Sequence, residues 1–224
     1  MTPDTLFDIA SLTKVVATTP ALLQLVERGK ASLKDPVVKH WPKFKGHGKE
    51  RITIRELLTH YSGLRASLPI KKNWSGYNSA LEKIAAEKPV HPPGSRFLYS
   101  DLNFIILGEL VRRVSGQSLD AYCRNHIFQP LDMKNTLFLP PRSLYGRLAP
   151  TMEDNLGEVH DPVAHRMGGV AGHAGAFSTA ADLGLFAQAI LDGGSTARTR
   201  VLSPQALEKM VLPQSPADKI PQRG

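Results

Sequence analysis

Ser11 and Lys14, in the stretch FDIASLTKVVATT, have the types and spacing for nucleophilic chemistry. Residues three apart on a helix share a face, with Cβ atoms about 5–6 Å apart, so the lysine nitrogen can reach the serine hydroxyl. Serine alone is a weak nucleophile. It needs a base to take its proton, or a positive neighbour that favours the alkoxide. A lysine shielded from water can supply either. The Ser11 amide, at the head of a helix, can serve as one donor of an oxyanion hole. The same residues also read as a helix cap followed by a solvated lysine, because S-x-x-K is common by chance.

The elements that must hold these residues are mostly helical. VVATTPALLQLVERGK predicts a largely buried helix bent near Pro20 and stopped around Gly29. DPVVKHWPKF reads as a turn-rich crossing. TIRELLTHYSGL predicts a short helix from near Thr53 to Gly63, and GYNSALEKIAAEKPV an amphipathic one ended by Pro89. A strongly apolar helix is expected from about Leu102 to Val114, and another over SLDAYCRNHIF with Ser118 as its cap. Leu137 to Met167 lacks periodicity and reads as loop with short strands. STAADLGLFAQAILDGG predicts a helix with Ser178 as N-cap and Asp182 in its first turn. Leu183, Phe186 and Ile190 share one face of it, and Gly193 ends it. SPQALEKMVLP predicts a last helix, capped by Ser203 and closed by Pro213.

Composition narrows the classes. The chain has 224 residues, 42% hydrophobic and 21% charged, which is ordinary for a globular enzyme and unlike a disordered or fibrous chain. No window carries the ~18 apolar residues of a membrane span, and MTPDTLFDIAS lacks signal-peptide character, so the chain as written is expected in the cytoplasm. The single Cys123 excludes an internal disulfide and a cysteine-built metal cluster. The net charge of +8 lies largely in RGKASLKDPVVKHWPKFKGHGKERITIR. Asp35 and Glu50 interrupt that run and no nucleic-acid motif accompanies it, so it reads as a solvated basic face and no nucleic-acid partner is expected. No repeat or linker divides the sequence.

TLFDIASLTK resembles the nucleophile segment of the serine β-lactamase and penicillin-binding-protein superfamily, in its class C, D-alanyl-peptidase and family VIII carboxylesterase branch. TIRELLTHYSGL resembles that branch's LLTHTSGL segment. PPGSRFLYSDLNFIILGELVRRVSGQSLDAYCRNHIFQPLDMKNT is similar to its Y-x-N segment and the helix after it, and GAFSTAADLGLFAQ to its later STA-x-DL helix. The four likenesses follow in the expected order and span most of the chain.

The resemblance implies a role for Tyr99, which spacing alone would leave as a half-buried aromatic. Its phenol faces the serine and lysine in the family, as base and later as acid for the leaving group. The third position of that motif is Asp101 here instead of Asn. A carboxylate favours the charged form of Lys14 and cannot donate the hydrogen bond an amide offers, which implies altered substrate contact.

A third motif, K-T-G or H-T-G on a strand, normally completes such a site. His173-Ala174-Gly175 imitates it but precedes the STA-x-DL helix, so the resemblance implies that the third motif lies beyond Gly224. It further implies that the opening and closing strands of the sheet, and the second oxyanion donor, lie outside this sequence. His173 remains a candidate substrate contact, because its segment is similar to that of relatives linked with muropeptide processing. His160, Asp161, His165 and His173 match no sharp metal template, so no metal is expected.

The resemblance implies an α+β fold of the β-lactamase/transpeptidase-like type, mostly its helical region with an incomplete antiparallel sheet. One domain is expected over 1–224: the nucleophile helix in 1–30, the helical region in 31–170 and return helices in 171–224. It implies a cofactor-free serine hydrolase acting through an acyl-enzyme, with Ser11, Lys14 and Tyr99 catalytic and Asp101 and His173 contacting substrate. Small esters, β-lactams and peptidoglycan-derived peptides are the expected partners, with self-association through exposed sheet edges. The rivals are a catalytically inactive fragment or pseudoenzyme, and a basic nucleic-acid binder.

Overall fold

A computed structural model describes residues 1–70, 73–151 and 156–223. Residues 152–155, part of the segment expected to be loop between Leu137 and Met167, lie outside the described residues.

Helix α1 (Thr19–Glu27) is entered through a π-helical turn at Lys14–Thr18. Pro20 carries no N–H, which loosens the spacing of the preceding turn, and the Thr19 N–H reaches back to the Lys14 carbonyl. The expected bend is therefore a widened turn. Leu22, Leu23 and Leu25 are buried, and Gly29 ends the run at φ 67°.

The turn-rich crossing contains a four-residue helix, α2 (Val37–His40), and a 3₁₀ turn at Pro42–Phe44. Helix α3 (Ile54–Leu58) starts as expected, with a capping box in which Thr53 and Glu56 each accept from the other's backbone. It stops well short of Gly63. The chain turns left-handed at His60, φ 62°, and the carbonyls of His60, Arg65 and Ala66 are used by the segment 98–101. Helix α4 (Tyr77–Ala86) precedes Pro89 as expected.

Helix α5 (Asp101–Ser115) is the longest and is buried from Leu102 through Val111. Its buried Glu109 is matched by Arg112 at 2.7 Å, Arg113 at 2.6 Å and the Tyr77 hydroxyl at 2.9 Å. With a second bond from Arg112 at 2.8 Å, four hydrogen bonds from three side chains keep the charge tolerable inside the core. Helix α6 (Leu119–Cys123) runs on through a π turn at Arg124–Phe128, and Ser118 caps it by backbone position without a side-chain bond.

Strands β1 (Phe7–Asp8), β2 (Leu137–Phe138) and β3 (Ala176–Ser178) form an antiparallel sheet in the order β1-β3-β2. Phe7 lies opposite Ser178, and Phe177 pairs with Asp8 on one side and Leu137 on the other. The region between Leu137 and Met167 also holds a 3₁₀ turn (Arg142–Arg147) and helix α7 (Pro162–Arg166).

Helix α8 (Ala180–Leu191) corrects one expectation: its N-cap is Thr179, which accepts from the Asp182 N–H, because Ser178 belongs to β3. Asp182 also takes the Asn135 N–H and the Thr136 hydroxyl, both at 2.8 Å, tying this helix to the approach to β2. Helix α9 (Pro204–Val211) is capped by Ser203 as expected. Among the described residues no helix is long and apolar enough to cross a membrane.

Candidate active site

Central strand β3 fixes the turn that carries Ser11. The Ile9 N–H donates to the Ala176 carbonyl at 3.0 Å, and the Ala176 N–H donates to the Thr13 hydroxyl at 3.2 Å. Between them Ala10 adopts φ 44°, with its N–H on Asp8 Oδ1 at 2.8 Å. A left-handed alanine is strained by roughly 1–2 kcal/mol, so the surrounding bonds must hold it. The result is an exposed Ser11 at the head of the helix and a Lys14 that is only 3% exposed.

Lys14 is the hub. Its Nζ donates to Ser11 Oγ at 2.8 Å, to Asp101 Oδ1 at 2.9 Å and to the His173 carbonyl at 3.1 Å. An ammonium has three N–H donors, and all three have acceptors here. The same nitrogen lies 4.9 Å from the centre of the Tyr99 ring and 5.8 Å from that of Phe104.

Tyr99 and Asp101 come from the segment that enters α5. The Ser100 hydroxyl donates to the Arg65 carbonyl at 2.6 Å, and the Asp101 N–H donates to the Ala66 carbonyl at 2.7 Å. Asp101 occupies the first turn of α5, where a carboxylate favours the positive end of the helix. Tyr99 is 45% exposed, so one side of its ring stays open to an incoming molecule.

His173 reaches the site by its backbone. Its carbonyl receives Lys14, while its imidazole is buried, with Nε2 2.9 Å from Asp161 Oδ1 and Nδ1 without a partner among the described residues. Asp161 caps α7 through the Val163 and Ala164 N–H groups. Burial opposes its ionisation, but the hydrogen bond and charge of His173 and those two amides outweigh it, and its carboxyl is held at about 2. The neighbouring Gly172 carbonyl accepts from the Thr18 hydroxyl at 2.7 Å. Ligating atoms of Asp101, Asp161 and His173 lie within 4.8 Å of one another, and Asp101 of that group is paired with Lys14 at 2.9 Å.

The structure thus gathers Ser11, Lys14, Tyr99, Asp101 and the backbone of His173 at one place. Three residues were not singled out as site residues by sequence: Thr18, the pairing of Asp161 with His173, and His60 beneath Tyr99. Thr18 has the type of any polar member of an apolar helix, and Asp161 falls among residues that match no sharp metal template. His60 lies in TIRELLTHYSGL, where nothing in the sequence gives it a role.

The profile of the beta-lactamase family matches residues 1–222. A Salmonella schwarzengrund (strain CVM19633) protein, provisionally named a D-alanyl-D-alanine carboxypeptidase, is 33% identical over 250 aligned positions, covering 97% of this chain and 58% of its own length. A class C beta-lactamase from Rhodobacter sphaeroides is similar in structure at a TM-score of 0.75 and 26% identity, over 95% of this chain and 58% of that one. A penicillin-binding-protein homologue from Caulobacter crescentus shares the fold at a TM-score of 0.80 and 24% identity, over 95% of this chain and 62% of that one. The chain spans little more than half the length of the relatives it matches. With the family profile running along almost all of it, the chain belongs to the beta-lactamase family.

Proposed function

We propose that the protein is a serine hydrolase that forms an acyl-enzyme on ester, amide or β-lactam carbonyls. The observation that carries this is the position of Lys14 Nζ, 2.8 Å from Ser11 Oγ and 4.9 Å from the Tyr99 ring centre.

Lys14 spends its three donors on Ser11, Asp101 and the His173 carbonyl, so it acts as a fixed cation and the proton acceptor must be another group. Tyr99 fills that place. Ser11 Oγ forms a bond to the carbonyl carbon as its proton passes to Tyr99, which must enter the step as the phenolate and becomes the phenol, and the ammonium offsets the negative charge. The tetrahedral oxyanion takes the Ser11 N–H as one donor. When the carbon–leaving-group bond breaks, the phenol returns the proton to the departing nitrogen or oxygen. Water then attacks the acyl carbon with Tyr99 as base, and Ser11 is regenerated. Cell-wall-type substrates, D-amino-acid peptides or muropeptides, are favoured by the Salmonella relative's name and by the segment around His173.

The test is incubation of the purified 224-residue chain with a fluorescent penicillin and a chromogenic short-chain ester, beside Ser11→Ala. Covalent labelling or turnover by the unaltered chain, lost in the variant, is the expected result. Absence in both overturns the reading in favour of an inactive fragment, and equal labelling of both overturns it by placing the reaction on a residue other than Ser11.

A further inference from the structure

We propose that His60 is the positioning residue for Tyr99, holding the phenol beside Lys14 through its backbone carbonyl and its imidazole acceptor. This rests on reading Tyr99 as the proton-transfer group.

His60 ties both neighbours of Tyr99. Its carbonyl accepts from the Leu98 N–H at 3.0 Å, and its Nδ1 accepts from the Ser100 N–H at 3.1 Å. Its ring lies against the Tyr99 ring, centres 4.5 Å apart at 33°. Carbonyl, ring nitrogen and ring face therefore act on three consecutive residues. With 45% of Tyr99 exposed, the solvent side offers no comparable wall.

This grip requires a strained backbone. His60 adopts φ 62°, a left-handed conformation that residues other than glycine rarely take. Strain of this sort persists where surrounding bonds over-determine it, and here those bonds run to the segment bearing Tyr99. A helix continuing to Gly63 would have turned the His60 carbonyl back into itself, away from Leu98.

The imidazole is also fixed in the form that can accept. Asn103 Nδ2 lies 3.3 Å from the same Nδ1, and the Asn103 carbonyl oxygen accepts from the Ser62 hydroxyl at 2.6 Å, which fixes the way the amide faces. With two donors aimed at Nδ1, the ring proton belongs on Nε2. Burial, reinforced by the positive charges of Lys14 and Arg223, holds His60 near 3, so it stays neutral wherever an enzyme would work. A protonated ring would lose its acceptor and oppose Lys14. Phe104, 5.3 Å away by ring centres, closes the remaining side.

The experiment compares the full 224-residue chain with His60→Gly and His60→Asn, each carrying ¹³Cζ-labelled tyrosine, with Ser11→Ala as the control for chemistry. Glycine accepts the left-handed φ without strain and removes the imidazole, so the variant has no backbone reason to misfold. Asparagine tolerates the same φ and presents an oxygen near the place of Nδ1. His60→Gly is expected to shift the Tyr99 resonance and its pH titration, and to slow penicillin acylation about 30- to 100-fold in the saturated rate, with little change in half-saturating concentration. His60→Asn is expected to restore the rate to within about 5-fold. An unchanged Tyr99 resonance and rate in His60→Gly overturns the proposal, as does His60→Asn losing as much as His60→Gly. If neither the unaltered chain nor Ser11→Ala is labelled, the hydrolase reading falls, and the Tyr99 resonance in His60→Gly alone still decides the positioning.

Discussion

Lys14 Nζ lies 2.9 Å from Asp101 Oδ1, an ion pair across 87 residues of sequence with 4% and 21% of the two side chains exposed. It joins the nucleophile turn to the N-terminus of α5. Removing one partner of such a pair leaves the other charge stranded, which costs more than the pair itself contributes. Asp101→Ala is expected to lower stability by about 2–3 kcal/mol and Asp101→Asn by about 1, since the amide keeps an acceptor for the lysine. Urea unfolding of the two variants checks this, and an Asp101→Ala chain as stable as the parent would refute it.

Gly172 is required for closeness. A Cβ there would lie 2.0 Å from the Phe104 carbonyl oxygen and 3.0 Å from the Gly108 nitrogen, all backbone that cannot rotate away. Gly172→Ala must push the 172–173 segment off α5, and with it the carbonyls that receive Thr18 and Lys14. A loss of about 2–3 kcal/mol or more is expected, with loss of labelling at Ser11. Gly184→Ala, on an open face of α8, is the control, with an expected gain of about 0.5–1 kcal/mol. Equal effects at the two positions would contradict the packing argument.

Acid should unfold this chain through His60 before it does so through the carboxylates. Burial, with Lys14 and Arg223, holds His60 at about 3, whereas the unfolded chain takes the proton near 6.5. Between those values the unfolded state binds the extra proton, so stability falls as pH falls, by up to about 1.4 kcal/mol per unit. Asp161 adds to this lower down: held at about 2, it contributes stability above its ordinary 3.8 that is lost as pH drops through 2. Denaturation midpoints at pH 7, 5.5 and 4.5 should fall steeply in the parent and less so in His60→Asn. Parallel slopes would count against a buried neutral imidazole.

Cys123 should be silent in the folded protein. It is fully buried on α6 and burial pushes its thiol well above the ordinary range, so little thiolate is present and no reagent can approach. Reaction with an aromatic disulfide reagent is expected to be at least about 10³-fold slower in buffer than in urea, at a rate set by opening of the α6 region. Prompt reaction in buffer would mean that α6 is not packed as described.

Much of the site was legible in the sequence because its chemistry is local. Ser11 and Lys14 stand three apart at the head of an apolar run, close enough along the chain for the lysine to reach the serine. The caps at Thr53 and Ser203, the stop at Gly29 and the apolar face of α5 are likewise short-range consequences of side-chain type and period. Where a short-range rule met a long-range demand, the long-range demand prevailed. TIRELLTHYSGL has the pattern of a helix reaching Gly63, yet it ends at Leu58, and His60, Arg65 and Ala66 beyond it bond the segment 98–101. Ser178 has the type of an N-cap, but pairing with Phe7 placed it in β3 and passed the role to Thr179.

The sequence by itself determined which residues could carry a reaction and the local elements that bear them: a serine, a lysine, a tyrosine and a carboxylate on helix starts and turns. Only the tertiary structure decided what each is next to. That Lys14 spends its third donor on the His173 carbonyl, that Asp161 holds the His173 ring, and that His60 lies beneath Tyr99 all depend on contacts between segments 12 to 159 residues apart. No periodicity encodes such contacts, because they arise when helices and strands bury their apolar faces together and the polar groups left inside must find partners there.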